Sequence, residues 1–238
     1  MMRTAYDYLV LDAETRNAPE EWAEEWFNTT WRAPGNYTDP KKIAAKRKEA
    51  WEKTLDKLAL LPCSPMTAIG LKSETELRCL HCMWEHAPKV REVNGWPGMV
   101  EGFSDERKMF ETLSVLLAAK ADAETLLAGF NCRYFDFPAL RRALARLKMP
   151  IPEVLLNPEQ PMFDNMEKWC RLFAGSREMF ANCPEVSVGL GIEPHKVSGA
   201  VVPELFANGE FELVVDKVLL DVLEEEQQFL RMTGRSGK

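Results

Sequence analysis

The stretch YLVLDAETR, residues 8–16, indicates how the fold of this 238-residue chain begins. The run from Tyr6 to Leu11 is short, apolar and β-favouring, and it ends at an acid, which is typical of a buried central strand. Asp12 and Glu14 lie two positions apart, so an extended chain directs both side chains to one face. The pair can therefore bind one metal ion, and a strand that ends in solvated polar residues is the alternative.

The composition limits the class of protein. With 46% hydrophobic residues, the chain is long enough for one sizeable α/β domain, or for a domain with a large insertion. Its apolar runs are far shorter than the ~20 residues that cross a bilayer, and the N-terminus lacks an apolar signal-peptide core. Six cysteines are scattered through segments that read as core. We therefore expect a cytoplasmic protein with reduced thiols and no membrane partner.

The net charge of −7 argues against a general polyanion binder, because such proteins usually carry a basic surplus. The segment from about 19 to 62 is the local exception. Between Lys41 and Lys57 it has seven Lys or Arg against three acids. We expect an inserted helical arm in which Asp39 caps one amphipathic helix. The basic excess fits a solvated helix face and a nucleic-acid contact equally well.

The other segments alternate between strand and helix patterns, as in an α/β fold. Pro97 and Gly102 indicate a loop, and Ser104 is the candidate cap of a helix that ends near Lys120. We expect the polar tail over 233–238 to be flexible. The remaining predicted elements are an antiparallel hairpin over 66–73 and 77–84, a strand over 125–131, a helix over 137–147, a short strand over 162–164, and a helical stretch over 202–232 with a break near 208–209.

A second candidate ligand, Asp136, lies in GFNCRYFDFP, residues 129–138. A buried strand ends at Asn131, and Pro138 indicates that Asp136 is at the start of the next helix. An acid at that position is commonly a helix cap or a partner of the helix dipole. If the strand runs parallel to the first, however, Asp136 comes to the same crevice, where open α/β sheets bind ligands.

The third acidic setting is VVDKVLLDVLEEE, residues 214–226, in the C-terminal helix. Lys217 and Asp221 are four positions apart and share a helix face, so an ordinary salt bridge is the simplest explanation. Hard divalent cations prefer charged oxygen ligands. Asp221 is therefore also a candidate ligand, together with the three earlier acids.

A zinc site must be weighed in RCLHCMWEH, residues 78–86, which contains two cysteines and two histidines. In a strand, Cys79 and Cys82 point to opposite faces, and no second cysteine pair has ligand spacing. We do not expect structural zinc at Cys79, His81, Cys82 and His86.

Taken together, DAE after an apolar strand, N-x-x-x-F-D-x-P and a late helical L-L-D-V resemble the three motifs of the DEDD (DnaQ-like) 3′–5′ exonucleases. The chain is most similar to the proofreading domains of family-B DNA polymerases, over about residues 6–232. This resemblance implies one ribonuclease H-like α/β domain over 1–232, with a mixed sheet flanked by helices and a helical insertion after the first strand. It also implies hydrolysis of phosphodiester bonds at the 3′ end of single-stranded DNA or RNA.

Carried over by position, the resemblance implies a set of ligands for two Mg²⁺ or Mn²⁺ ions and a pocket for the terminal nucleotide. The implied metal ligands are Asp12, Glu14, Asp136 and Asp221. The implied pocket residues are Thr15, Asn131 and Phe135. A two-metal mechanism needs such a set of carboxylates.

The general base of the family is a Tyr four residues before the last acid or a His five before it, and here those positions hold Lys217 and Asp216. Lys217 is then a base or a charge stabiliser, although carboxylates would raise its pKa while burial and cations would lower it. A residue from another loop is the second possibility. His195 lies in such a loop, where we expect a surface or capping histidine. The third possibility is a weakened enzyme that serves as a binding module for nucleic acid or protein.

Overall fold

The computed structural model describes residues 7–61, 63–173, 180–195 and 199–235. The fold is α/β, with a mixed sheet flanked by helices, and is consistent with a ribonuclease H-like fold. The chain forms two compact units, one of Met1–Glu14 with Met66–Lys238 and one of Thr15–Pro65. Within the described ranges, no helix is long and apolar enough to cross a membrane.

Seven strands form the sheet in the described part of the chain, in the order β4-β5-β3-β2-β1-β6-β7. They are β1 (Tyr8–Thr15), β2 (Met66–Lys72), β3 (Leu77–His81), β4 (His86–Val93), β5 (Trp96–Gly102), β6 (Leu126–Gly129) and β7 (Met162–Asp164). Strand β1 runs parallel to β6, with Tyr8 opposite Leu126, and β6 runs parallel to β7. The C-terminal ends of these three strands therefore lie at the same edge of the sheet.

The described α-helices are α1 (Glu20–Thr30), α2 (Pro40–Leu55), α3 (Glu106–Lys120), α4 (Asp136–Arg146), α5 (Glu153–Leu156), α6 (Asn165–Lys168), α7 (Cys183–Gly189), α8 (Val202–Ala207) and α9 (Phe211–Thr233). Within the larger unit, α3 and α4 pack on one face of the sheet and α9 packs on the other. Short 3-10 turns occur at Leu58–Leu60 and Gly199–Val201, and a π-helical turn at Trp169–Phe173.

Strand β1 is buried on both faces because its side chains alternate between two cores. Leu9 and Leu11 belong to the core that contains α3 and α4. Tyr8 and Val10 belong to the core that contains α9. This confirms the central buried strand predicted from the sequence, although the strand begins at Tyr8. Asp7 is exposed and precedes it, and Tyr6 lies outside the described residues.

Most predicted elements of the larger unit are confirmed. Strands β2 and β3 form the antiparallel hairpin, and β6, α4 and β7 lie where the patterns placed them. The C-terminal helical stretch breaks after Ala207, where Gly209 has φ +75°. Helix α9 continues to Thr233 and ends at Gly234 in the left-handed conformation. The last three residues of the predicted flexible tail, 236–238, lie outside the described residues.

Two predictions for residues 97–105 are wrong. The predicted loop from Pro97 to Gly102 is strand β5, which pairs with both β3 and β4. The turn lies earlier, because Asn94 and Gly95 both have positive φ and connect β4 to β5, and Asn-Gly is a strong hairpin signal. The cap of α3 is also not Ser104 but Asp105, whose side chain accepts a hydrogen bond from the backbone N–H of Lys108 at 2.9 Å.

The unit Thr15–Pro65 contains the predicted helical arm. Asp39 caps α2 by accepting a hydrogen bond from the backbone N–H of Lys41 at 2.9 Å, as the sequence predicts. No residue of α2 is fully buried, and part of its basic excess is neutralised locally. Glu49 forms ion pairs with Lys46 at 2.6 Å and with Lys53 at 2.8 Å.

Candidate metal centre

The ends of β1 and β6 bring the first two acidic settings together. Asp136 is the first residue of α4 and follows the turn after β6. Its Oδ1 accepts a hydrogen bond from the backbone N–H of Ala13 at 3.2 Å, although the two residues are 123 positions apart. This bond is possible because β1 and β6 are parallel neighbours. Asp136 therefore lies directly beside the strand segment that carries Asp12 and Glu14.

Helix α9 adds the third acidic setting. One carboxylate oxygen from each of Asp12, Glu14 and Asp221 lies within 4.8 Å of the others. Asp136 contributes no oxygen to this group, although its carboxylate and those of Asp12 and Glu14 act on one another electrostatically. Three of the four expected ligands thus converge on one point, and the fourth lies beside them.

Lys217 lies inside this acidic group. Its Nζ forms ion pairs with Glu14 Oε1 and Asp221 Oδ2, and the side chain is only 3% exposed. Burial lowers the pKa of Lys217, but the carboxylates of Glu14, Asp221 and Asp12 raise it further, so the pKa is above its usual value. Among the protein groups alone, the carboxylates therefore outweigh burial and keep Lys217 protonated. A protonated amine has no lone pair to accept a proton, so this geometry favours charge stabilisation over a role as base.

His195 contacts the site directly, contrary to the expectation of a surface or capping histidine. Its Nε2 is paired with Asp221 Oδ1 and lies 3.7 Å from Glu224 Oε2, and its side chain is 14% exposed. Its backbone N–H also donates to Glu224 Oε2 at 3.0 Å. The hydrogen bond to Asp221 raises the pKa of His195 and outweighs burial. The histidine therefore holds Asp221 from the side of the loop that follows α7.

Burial makes the ionised forms of the acids at this site unfavourable. Asp12 Oδ2 is buried and has no hydrogen-bond partner among the described residues. Burial and then the charge of Asp221 raise the pKa of Asp12 to about 7. Burial raises the pKa of Glu14 to about 8 despite the nearby Lys217, and burial also raises the pKa of Asp136 well above its usual value. A bound cation would favour the ionised forms of all three acids.

The donor set fits a hard divalent cation. All donors in the group are carboxylate oxygens, which suit Mg²⁺ and Mn²⁺. The group includes no soft sulfur ligand. The unpaired oxygen of Asp12 is an available ligand, because burying a polar atom without a partner is unfavourable unless something binds it.

Glu225 is a residue of this region that the sequence puts on the helix face of Asp221 but for which it predicts no role in the site. It lies one helical turn beyond Asp221, is 5% exposed, and its Oε2 has no hydrogen-bond partner among the described residues. Burial, then the charges of Asp12 and Asp136, raise its pKa well above the usual value. Its spacing of four from Asp221 was the available signal, since residues four apart share a helix face.

The expected substrate residues lie in two places. Asn131 and Phe135 belong to the turn between β6 and α4, which also positions Asp136. Asn131 has φ +54°, and its carbonyl accepts hydrogen bonds from the backbone N–H groups of Tyr134 and Phe135 at 3.1 and 3.0 Å. Thr15 belongs to the smaller unit, where its hydroxyl donates to the carbonyl of Ala59.

Three of the four residues considered for zinc have protein partners, and the fourth, Cys79, is fully buried. Nε2 of His81 lies 2.9 Å from Nε2 of His86. Cys82 Sγ donates to the carbonyl of Met66 at 3.2 Å, and Cys79 is fully buried in β3. Across the described ranges, the converging metal-type group contains acids and neither of these cysteines.

Comparisons with known proteins add no family assignment. No protein-family model matches the chain, and no curated protein is significantly similar to it. The function must therefore be inferred from the chemistry of the site.

Proposed function

We propose that this protein is a metal-dependent 3′–5′ exonuclease that hydrolyses phosphodiester bonds at the 3′ end of single-stranded DNA or RNA. The observation that carries the proposal is the convergence of Asp12, Glu14 and Asp221 within 4.8 Å, on a β strand and a helix far apart in the sequence. The site lies at the C-terminal edge of parallel strands, which is where open α/β sheets bind ligands. The α/β fold is consistent with this activity but does not determine it.

The proposed cofactor is Mg²⁺ or Mn²⁺, held by Asp12, Glu14 and Asp221 with Asp136 beside them. When bound, such an ion polarises a phosphoryl oxygen and lowers the pKa of a water molecule. Ala13 holds the carboxylate of Asp136 in position through its backbone N–H. The acids of the group are partly buried, which limits their contact with bulk water and so strengthens their interaction with a cation.

Lys217 and His195 have the roles that their contacts support. The ammonium of Lys217 holds Glu14 and Asp221 together and offers positive charge beside the scissile phosphate. His195 positions Asp221 from the opposite carboxylate oxygen. The position that holds a tyrosine base in the DEDD exonucleases is therefore, in this proposal, a cationic position.

The proposed partner is a nucleic-acid 3′ end, and the proposed compartment is the cytoplasm. Six cysteines scattered through core-like segments, rather than in a disulfide framework, support a reducing compartment. The turn with Asn131 and Phe135 is next to Asp136 in the chain, so it is suitably placed to contact the terminal nucleotide, and Phe135 can offer a stacking surface.

A binding module that does not hydrolyse nucleic acid is the second candidate. Lys217 favours it, because the ammonium already pairs with two of the acids that a catalytic cation needs. Such a module would bind an oligonucleotide equally well with Mn²⁺ and with EDTA, and would release no nucleotides.

The exonuclease proposal is tested with single-stranded DNA and RNA oligonucleotides labelled at either end. The wild type should release mononucleotides in Mn²⁺, freeing a 3′ label first and shortening a 5′-labelled strand stepwise. Asp12→Ala should lower the rate by more than the roughly 10–100-fold that loss of an outer-shell residue costs. Asp7→Ala, an exposed acid in the same segment, is the matched control and should retain the activity.

Release that continues in EDTA, or that Asp12→Ala leaves unchanged, would refute a metal-dependent mechanism at this site. Equal binding with no release in either condition would favour the binding module. A faster loss of RNA than of matched DNA would identify the substrate as RNA.

A further inference from the structure

The position of Lys217 bears on how many cations the candidate site binds. An inference about that number rests on the proposed function. We infer that the ammonium of Lys217 takes the place of one of the two cations expected for a DEDD-type site, so that the site binds a single divalent ion. Lys217 is then a built-in positive charge that shares Glu14 and Asp221 with the metal, and Asp12 is the acid of the group for which no ion pair with Lys217 is seen among the described residues.

The contacts of Lys217 carry this inference. Its Nζ is paired at once with Glu14 Oε1 and Asp221 Oδ2. These two carboxylates belong to the group whose oxygens converge within 4.8 Å. A second divalent ion bound by Glu14 and Asp221 would have to lie beside this ammonium. Like charges at such short separation repel strongly in a buried site.

The side chain of Lys217 is held in the site. It is 3% exposed and projects from α9, which hydrogen bonds anchor further along its length. Nine residues further along α9, Glu226 accepts hydrogen bonds from Tyr8 and from Lys72, the latter at 2.8 Å. Withdrawing Lys217 would leave Glu14 without its cationic partner in a buried place, which is unfavourable.

The acidic oxygens that lack partners indicate where one cation is still needed. Asp12 Oδ2 and Glu225 Oε2 are both buried without a hydrogen-bond partner in the described ranges. Glu225 is 5% exposed and lies one turn of α9 beyond Asp221. Unsatisfied oxygens therefore occur on Asp12 and Glu225, whereas Glu14 and Asp221 already have cationic partners.

The test counts Mn²⁺ ions per chain by equilibrium dialysis of metal-free protein, with electron paramagnetic resonance to separate isolated ions from spin-coupled pairs. We expect one isolated ion for the wild type and a coupled pair for Lys217→Met and Lys217→Gln. Lys217→Arg keeps the positive charge and should bind one ion. Lys89→Met is the matched control, because Lys89 also pairs with a carboxylate of α9, that of Glu212 at 3.1 Å, but lies outside the acidic group. It should bind one ion.

Each outcome is decisive. A coupled pair in the wild type overturns the inference and leaves the proposed function standing. One ion in both the wild type and Lys217→Met also overturns it, because something other than the lysine would then exclude the second ion. No bound ion in the wild type overturns the inference and the proposed function together. If the Lys217→Met and Lys217→Gln chains fail to fold by circular dichroism, the wild-type count and the Lys217→Arg count still decide.

Discussion

The carboxyl group of Glu225 is buried, and its Oε2 has no hydrogen-bond partner among the described residues. Burial raises its pKa well above the usual value, and the nearby Asp12 and Asp136 raise it further. The folded protein therefore binds the Glu225 proton more tightly than the unfolded chain does. In metal-free protein, this group contributes stability at low pH, and the contribution is lost as pH rises through the folded-state pKa.

Glu225→Gln should remove this pH-dependent loss, because glutamine has nearly the shape of the protonated acid. In EDTA, the variant and the wild type should have similar free energies of unfolding at pH 4. By pH 9 the variant should be more stable by roughly 1–3 kcal/mol, the usual cost of a buried unsatisfied polar group. Urea unfolding at both pH values measures the difference.

The exposed acid Glu92 provides the control for that experiment. Glu92→Gln should not become more stable than the wild type as pH rises. A Glu225→Gln variant that follows the wild type at every pH would mean that the carboxyl group is already compensated in solution.

Individual site residues differ in how far the sequence could predict them. Asp12 and Glu14 were predictable because the alternation of a short strand places them on one side. The contact between His195 and Asp221 was not predictable, because it joins a loop to a helix 26 positions away. The charge of Lys217 was also open, since its pKa depends on the balance of burial and surrounding carboxylates.

Helix α9 is the element that completes the candidate site. One side carries Lys217 and Asp221, and Val218 and Val222 belong to the core that it shares with the sheet. Gly70 in the middle of β2 permits this close packing. A Cβ at that position would lie 2.7 Å from Val222 Cγ1, 2.8 Å from Val218 Cγ1 and 3.0 Å from the carbonyl oxygen of Val218.

Gly70→Ala should therefore displace α9 and affect stability and metal binding together. Because the backbone of α9 cannot rotate away as a side chain can, we expect a loss of about 1–3 kcal/mol in the free energy of unfolding. We also expect weaker Mn²⁺ binding, measured by calorimetry, since Asp221 moves with the helix. Gly35→Ala is the control, because a Cβ there meets nothing within 4 Å. If Gly70→Ala binds Mn²⁺ like the wild type, α9 does not set the geometry of the site.

Strand β5 shows where element prediction failed. Pro97 and Gly102 are residue types that favour a loop, but the turn is formed earlier by the positive-φ pair Asn94 and Gly95. Pro97 lies opposite Glu92 of β4, but on its other side the pairing of β5 with β3 starts only at Gly98, so β3 does not need the missing N–H of Pro97. Proline is tolerated where its missing N–H is not needed by a neighbouring strand.

Across the chain, a bound cation should stabilise the native state, because the unfolded chain cannot assemble the acidic group. At 100 times its Kd, Mn²⁺ should add ~2.7 kcal/mol to the free energy of unfolding. For a protein of this size, that corresponds to a rise in Tm of about 5–10 °C, with EDTA reversing it. Differential scanning calorimetry measures the shift, and Asp12→Ala should abolish most of it.

We expect the rise in Tm in the unfolding of the unit Met1–Glu14 with Met66–Lys238, because this unit carries all the acids of the group. A separate transition of Thr15–Pro65 should not respond to Mn²⁺. Equal stabilisation of Asp12→Ala and the wild type would show that the ion binds elsewhere on this acidic chain.

The local patterns of the chain were sufficient to predict the α/β class, the central strand, most helices and the acids that face a common edge. These properties depend on periodicity and on residue types close together in sequence, which are readable without coordinates. The pairing of Lys217 with two carboxylates, the contact of His195 with Asp221 and the burial of Glu225 came from three-dimensional packing. Burial and long-range charge set the ionisation of these groups, and neither exists until distant segments meet.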